Sequence, residues 1–369
     1  MPQVEAWAKV FLDDEEFLTS THGSIGCIEC HGGTQATGDM ESAHVGMQRD
    51  PAASGACAFC HTDTTQVQLA SLHTTLQGYY QVLEARSTPE LSAGLQEAFD
   101  NHCTSCHSSC GQCHVSVPET AGGGLLASHE FKEIPPMNTT CTACHGSRIN
   151  DEYKGKNTTA DGMTLPADVH FNPGGMACID CHDEAELHGD VSAANDLSMY
   201  SGTPDVACTD CHPLDELLGA NDQHTEFHLE YLTCYVCHSV DYKSCYSCHV
   251  QQSDEGVAYY TTDPSEMHFY IGISPLKSAD RPEAYTVLRH IPVDRDSFGY
   301  YGADLLPNFD AVPTWKYTTP HNIQLDTPQN ASCDSCHGNA DIFLTEDKVA
   351  ADELEANKDV IVPYIPSEK

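Results

Sequence analysis

Long hydrophobic runs are missing from this 369-residue chain. The best tail segment, Val360-Ile361-Val362-Pro363-Tyr364-Ile365, is far shorter than the roughly 18 apolar residues of a membrane-spanning helix, so no transmembrane segment is expected. Basic residues are scarce too: 16 Lys and Arg stand against 55 Asp and Glu, a formal charge of −39. Such a surface repels phosphate backbones and anionic membranes, which excludes nucleic acid as a partner. Helical and strand periodicities are short, although 40% of residues are hydrophobic. The expected interior is therefore only partly protein. The first eighteen residues have Glu5, Lys9 and the cluster Asp13-Asp14-Glu15-Glu16 where a signal peptide needs an apolar stretch. That cluster reads as solvated surface or as a site for Ca2+ or a cationic partner, and its spacing matches no defined calcium loop.

Unpaired cysteine is the last absence, and it is the informative one. All twenty cysteines fall in ten Cys-x-x-Cys-His motifs. In chain order these are Cys27/Cys30/His31, Cys57/Cys60/His61, Cys103/Cys106/His107, Cys110/Cys113/His114 and Cys141/Cys144/His145, then Cys178/Cys181/His182, Cys208/Cys211/His212, Cys234/Cys237/His238, Cys245/Cys248/His249 and Cys333/Cys336/His337. Two thiols three residues apart on one turn reach the two vinyl groups of a haem, and the next residue places an imidazole under its iron. Disulfides and zinc knuckles also use paired cysteines, but neither requires His after the second cysteine ten times in ten. Ten covalent c-type haems are expected. Since such haem is attached after export, the chain is expected outside the cytoplasm with its signal removed.

The sixth ligand separates electron transfer from catalysis, because an iron with an open face can bind substrate. Twelve histidines lie outside the motifs. The cysteine spacing sorts ten of them. Cys27 to Cys57 and Cys178 to Cys208 are both 30 residues apart, each pair leads to a close couplet, and the fifth motifs read NTTCTACHG and NASCDSCHG. The chain is thus expected to be two tandem pentahaem repeats, 1–150 and 151–369. His73 and His224 each lie sixteen residues after the second motif's first cysteine, and His129 and His321 each precede the fifth motif by twelve. By order, His22 matches His170, His44 matches His188 and His102 matches His228. These ten are the expected distal ligands. His268 and His290 have no counterpart and are held in reserve.

The expected fold is mostly irregular coil with short α-helices and few short strands, organised around a ten-haem chain. Ser87-Thr88-Pro89-Glu90 reads as a helix start before Leu91 to Phe99. Residues 251–332 form a haem-free, aromatic-rich insertion, which either covers haems or forms a subunit interface. The C-terminal arm, 338–369, offers a helix-like stretch and then an extended tail, either disordered or docked.

The motif density, with histidines spread between motifs from His22 to His337, resembles the multihaem c-type cytochromes and looks like their extracellular filament-forming members. The resemblance implies end-to-end self-association, electron delivery to other redox proteins or extracellular acceptors, and a location outside the cell or on its surface. A soluble periplasmic shuttle is the alternative. Multihaem reductases keep an open iron, in some cases through Lys in place of the motif His. No such motif occurs here, so an enzyme is not expected.

Overall fold

The computed structural model describes residues 5–12, 14–35, 37–52, 55–104, 108–118, 121–126, 128–189, 206–278 and 281–367. Cys106, His107 and Asp13 lie outside the described residues. Short helices, few short strands and much irregular chain make up the fold.

Compactness divides the chain into two interleaved units rather than at 150/151. Unit 1 comprises Met1–Gly78, Cys103–Gly146 and Cys178–Pro204; unit 2 comprises Tyr79–His102, Ser147–Ala177 and Asp205–Lys369. Six motifs therefore belong to unit 1 and four to unit 2. A repeat boundary records how the sequence was built, whereas a compact unit records which segments pack together. The two partitions need not coincide.

Unit 1 has almost no protein core. Among the described residues, Leu76 is its one buried hydrophobic side chain. Large apolar side chains instead stand exposed in and beside the motifs, including Ile28 between Cys27 and Cys30 and Phe59, 87% exposed, between Cys57 and Cys60.

Unit 2 departs from the expectation of a sparse interior. Its centre is a three-stranded antiparallel sheet, and the insertion supplies every strand of it. To number strands in chain order, β1 is Tyr242–Lys243, β2 Cys248–Gln252, β3 Ala258–Thr262, β4 Met267–His268, β5 Tyr270–Ile273, β6 Tyr285–His290 and β7 Trp315–Tyr317. The sheet order is β5-β6-β7, while β1 pairs β4 and β2 pairs β3 in two-stranded ribbons. Thr286, Val287, Leu288 and Arg289 of β6 are all buried, so both faces of the strand are covered. Val287 joins a cluster with Val236, Tyr242, Ile271 and Phe343, and Leu288 joins a second with Trp315, Leu344 and Val360. The insertion is thus core, although Tyr259, Tyr260 and Tyr300 remain exposed.

The helix opened by Pro89 is longer than expected: a 3-10 turn Pro89–Leu91 runs into Ser92–His102. Leu95 from it packs on Leu305 and Leu306. The C-terminal arm is docked within its own unit. Ile273 N–H donates to Val360 O at 2.9 Å and Val362 N–H to Leu344 O at 2.9 Å, extending the sheet's hydrogen bonding. Val360 and Val362 are buried, each worth about 1.5–3 kcal/mol on simple area grounds.

Candidate haem-ligand site

Eight motifs wind as one helical or 3-10 turn. The His N–H donates to the first cysteine's carbonyl at 2.8–3.0 Å in the motifs beginning at Cys57, Cys141, Cys178, Cys208, Cys234 and Cys333, while Cys27–His31 and Cys110–His114 are α-helices. Ser109 caps the latter with a complete capping box, which fixes where the turn starts. One turn puts both thiols on one side and the imidazole beyond them. The ninth motif differs, because Cys248 and His249 open β2 and are held extended by pairing with Thr262 and Thr261.

No disulfide forms among the described cysteines. Thiols of different motifs meet instead. Cys57 hydrogen-bonds Cys110 and lies in electrostatic reach of Cys30. Cys113 interacts in the same way with Cys144, and Cys141 hydrogen-bonds Cys178. These contacts order unit 1 by motif as first, second, fourth, fifth and sixth. In unit 2, Cys208 hydrogen-bonds Cys234, and Cys237 interacts with Cys336. The order there is seventh, eighth, tenth.

The imidazoles show a second regularity. Seven ring pairs each join one motif histidine to one histidine outside the motifs. In unit 1, ring centres are 6.2 Å apart for His22 with His61, 5.8 Å for His31 with His129, 6.2 Å for His73 with His145 and 6.1 Å for His114 with His188. In unit 2 they are 6.3 Å for His170 with His212, 6.1 Å for His224 with His238 and 6.2 Å for His228 with His337. The angle between ring planes runs from 18° to 89°, so ring stacking does not set the distance. A metal bonded to two opposed imidazoles would give such a spacing: with metal–nitrogen bonds of about 2.0–2.1 Å, ring centres fall roughly 6 Å apart.

The polypeptide does not enclose every expected anchor and ligand. Cys60, Cys144, Cys181, Cys211 and Cys248, each the second cysteine of its motif, are exposed, as are Cys27 and Cys333. Three motif histidines are exposed as well: His61, His145 and His212. Burial of the first cysteine does not decide this, because Cys113 with His114, and Cys237 with His238, are half-buried although Cys110 and Cys234 also meet another motif's thiol. Cys57, Cys141 and Cys208 are the thiol-paired ends of the motifs that carry those three histidines. In the sixth motif Cys178 meets Cys141 and Cys181 is exposed, while His182 is half-buried. Exposure does not scatter the rings: His61, His145 and His212 still face His22, His73 and His170.

The nitrogens are arranged to match. Nδ1 meets a backbone carbonyl at 2.8 Å in His31 (Gln48), 2.6 Å in His114 (Lys132), 3.0 Å in His238 (Gln324), 3.0 Å in His337 (Ser367) and 2.6 Å in His228 (Gln223). Nδ1 of His170 meets Asp168 Oδ1 at 2.8 Å, and Nδ1 of His182 meets Glu186 at 2.8 Å. A polar partner on Nδ1 leaves Nε2 as the nitrogen on the other side of the ring, the arrangement by which outer groups orient metal-ligating histidines. Burial holds His22, His73, His129, His188 and His224 below the usual imidazole range, and the facing imidazole adds to this in His22, His129, His188 and His224. A neutral imidazole is the form that ligates. Asp168 and Glu186 were not singled out from the sequence; the signals were an Asp two residues before His170 and a Glu four after His182.

Seven expected distal histidines thus face a motif histidine: His22, His73, His129, His170, His188, His224 and His228. His22 and His170 keep their repeat register, since both face a second motif. His73 and His224 do not: His73 faces the fifth motif of its half, whereas His224 faces the couplet and His228, four residues on, takes the fifth. Different couplet spacing in the two halves shifts which imidazole arrives. His44 is exposed, with Nδ1 2.7 Å from Met40 O. His102 meets the Tyr301 hydroxyl through Nε2 at 2.8 Å. His321 donates its backbone N–H to Glu152 Oε2 at 3.2 Å. His268 and His290 line a cleft with Cys245. Among the described residues, no three or more His, Cys, Asp and Glu side chains gather into a group that could hold a metal ion between them. No protein-family model, curated protein or solved structure matches the chain.

Proposed function

We propose that this chain is a decahaem c-type cytochrome whose work is electron transfer. The observation that carries the reading is the set of seven motif/non-motif imidazole pairs at 5.8–6.3 Å, a spacing that suits one iron between each pair. Bound haem supplies a reversible one-electron iron couple. The chain's residues do the rest. Paired thiols would anchor each macrocycle, so neighbouring thiols of two motifs would bring two haems close. The contacts from Cys30 to Cys178 in unit 1, and from Cys208 to Cys336 in unit 2, then mark two electron paths. Two histidines on an iron leave no face for substrate, which favours transfer over catalysis. Histidine rather than methionine as sixth ligand also keeps potentials low.

Exposed apolar side chains such as Ile28 and Phe59 fit the same reading, since a flat apolar group anchored by the neighbouring cysteines covers them. Unit 1, with its thin core, would owe much of its stability to that binding.

Carbon monoxide tests the ligand set. The dithionite-reduced protein is expected to bind none at the irons of the seven facing pairs, and His224→Ala to bind one equivalent more than the parent, at the iron under His238. Unchanged CO uptake by this variant would count against the reading.

A further inference from the structure

The ninth motif lacks a facing imidazole among the seven pairs, yet it borders a cleft that holds two. Ser244, Cys245, Glu266, His268, His290 and Asp294 are among the residues lining that cleft. The backbone fixes this arrangement. β1 pairs β4 with Tyr242 opposite His268, which sets His268 beside the strand leading into Cys245. From the other side, Cys245 N–H donates to His290 O at 2.9 Å. His249 approaches through Asp294, whose Oδ2 is 3.3 Å from His249 Nε2.

The two candidate imidazoles are held differently. His290 directs Nε2 at both oxygens of Glu353, each at 3.0 Å, and that carboxylate is largely buried. Its ring also stacks on Trp315 with centres 4.7 Å apart. Freeing this nitrogen would strand a buried carboxylate, which is costly. His268 directs Nε2 at Glu266 Oε2, 2.8 Å away, and that carboxylate is 75% exposed and lines the cleft. A surface pair of this kind is worth little and opens easily. Meanwhile Tyr270 stacks on the His268 ring and Trp315 meets its edge, so the plane is held when the carboxylate leaves.

We infer that His268 is the sixth ligand of the ninth iron, with His249 the fifth, and that Glu266 yields Nε2 to the metal. The inference rests on the haem-binding reading above. In sequence, this histidine looked superfluous because the other half has no equivalent. The insertion that carries it would therefore be both the core of unit 2 and the source of a ligand that the first repeat does not supply.

Three holoproteins test this: parent, His268→Ala and His290→Ala, each assayed for haem by pyridine haemochrome, for high-spin iron by EPR and for CO binding after reduction. The expected result is ten haems in all three, with one additional high-spin iron and one additional CO per chain in His268→Ala alone. No change in His268→Ala, or the new open site appearing in His290→Ala instead, overturns the assignment while leaving the haem reading intact. A parent without covalent haem overturns the haem reading and the assignment with it. Should His268→Ala fail to accumulate, His268→Met decides: one haem of ten moves to higher potential in a redox titration if His268 is the ligand, and none moves if it is not.

Discussion

Replacing Cys110 and Cys113 together by serine is expected to remove one haem in ten and to cut the electron path of unit 1 in the middle. Cys110 is the thiol that meets Cys57, and Cys113 is the one that interacts with Cys144. The fourth motif is therefore the link between the second and the fifth, even though its neighbour in sequence is the third. With both thioether anchors gone, His114 and His188 would hold an unanchored haem weakly at best. The Soret band should fall by about a tenth, the share of one haem among ten equivalent sites. Protein-film voltammetry should show a lower limiting current. The same pair of changes in the ninth motif, Cys245→Ser with Cys248→Ser, removes a haem that lies off the contact order of unit 2 and should cost the same absorbance with less loss of current. Equal currents in the two variants would mean that thiol contacts do not mark the path.

Arg289→Met should be the most destabilising single substitution in unit 2. Arg289 and Glu152 form an ion pair whose side chains are 2% and 0% exposed. Glu152 also accepts the His321 N–H, and the Arg289 guanidinium lies 4.7 Å from the Tyr242 ring centre. Burial pushes the Glu152 carboxyl up against the opposing pull of Arg289, so the carboxylate depends on its partner for its charge. Removing the cation leaves a buried carboxylate with only the weaker pull of Arg148, a cost of about 3–5 kcal/mol. Glu152→Gln combined with Arg289→Met should recover part of that loss, because the stranded charge is gone. Thermal unfolding of the holoproteins followed by circular dichroism reads both. A single variant within about 1 kcal/mol of the parent, the size of an exposed pair, would show that the pair is not buried in solution.

Local chemistry was the legible part of this chain. Cys-x-x-Cys-His closes on itself within one turn, so its spacing alone tells which residues act together, and eight motifs adopt such a turn. Which end of a turn the fold covers was not legible: Cys208 is drawn to Cys234 while Cys211 and His212 stay at the surface, and only tertiary contacts decide that. The pairing of imidazoles was legible only in part. That a histidine such as His129 faces a motif could be read from excess and register. Which motif it faces is decided by tertiary folding, and His73 and His224 diverge despite identical offsets. The core of unit 2 was hidden for a different reason. β6 is covered on both faces, so Tyr285–His290 shows no alternation, and its buried Thr286 and Arg289 look like surface residues in sequence. The tail was ambiguous because Val360-Ile361-Val362 is too short to announce a partner. The hydrogen bonds to Ile273 and Leu344 that fix it come from segments far away in the chain.

The most direct test of the central claim is a count of haems and thiols on one sample. Pyridine haemochrome with intact mass should give ten covalent haems per chain, and alkylation of the denatured protein should find no reactive thiol among its twenty cysteines. A haem-free chain, exported by a host that matures c-type cytochromes and with all twenty cysteines alkylated or paired as disulfides, would contradict it.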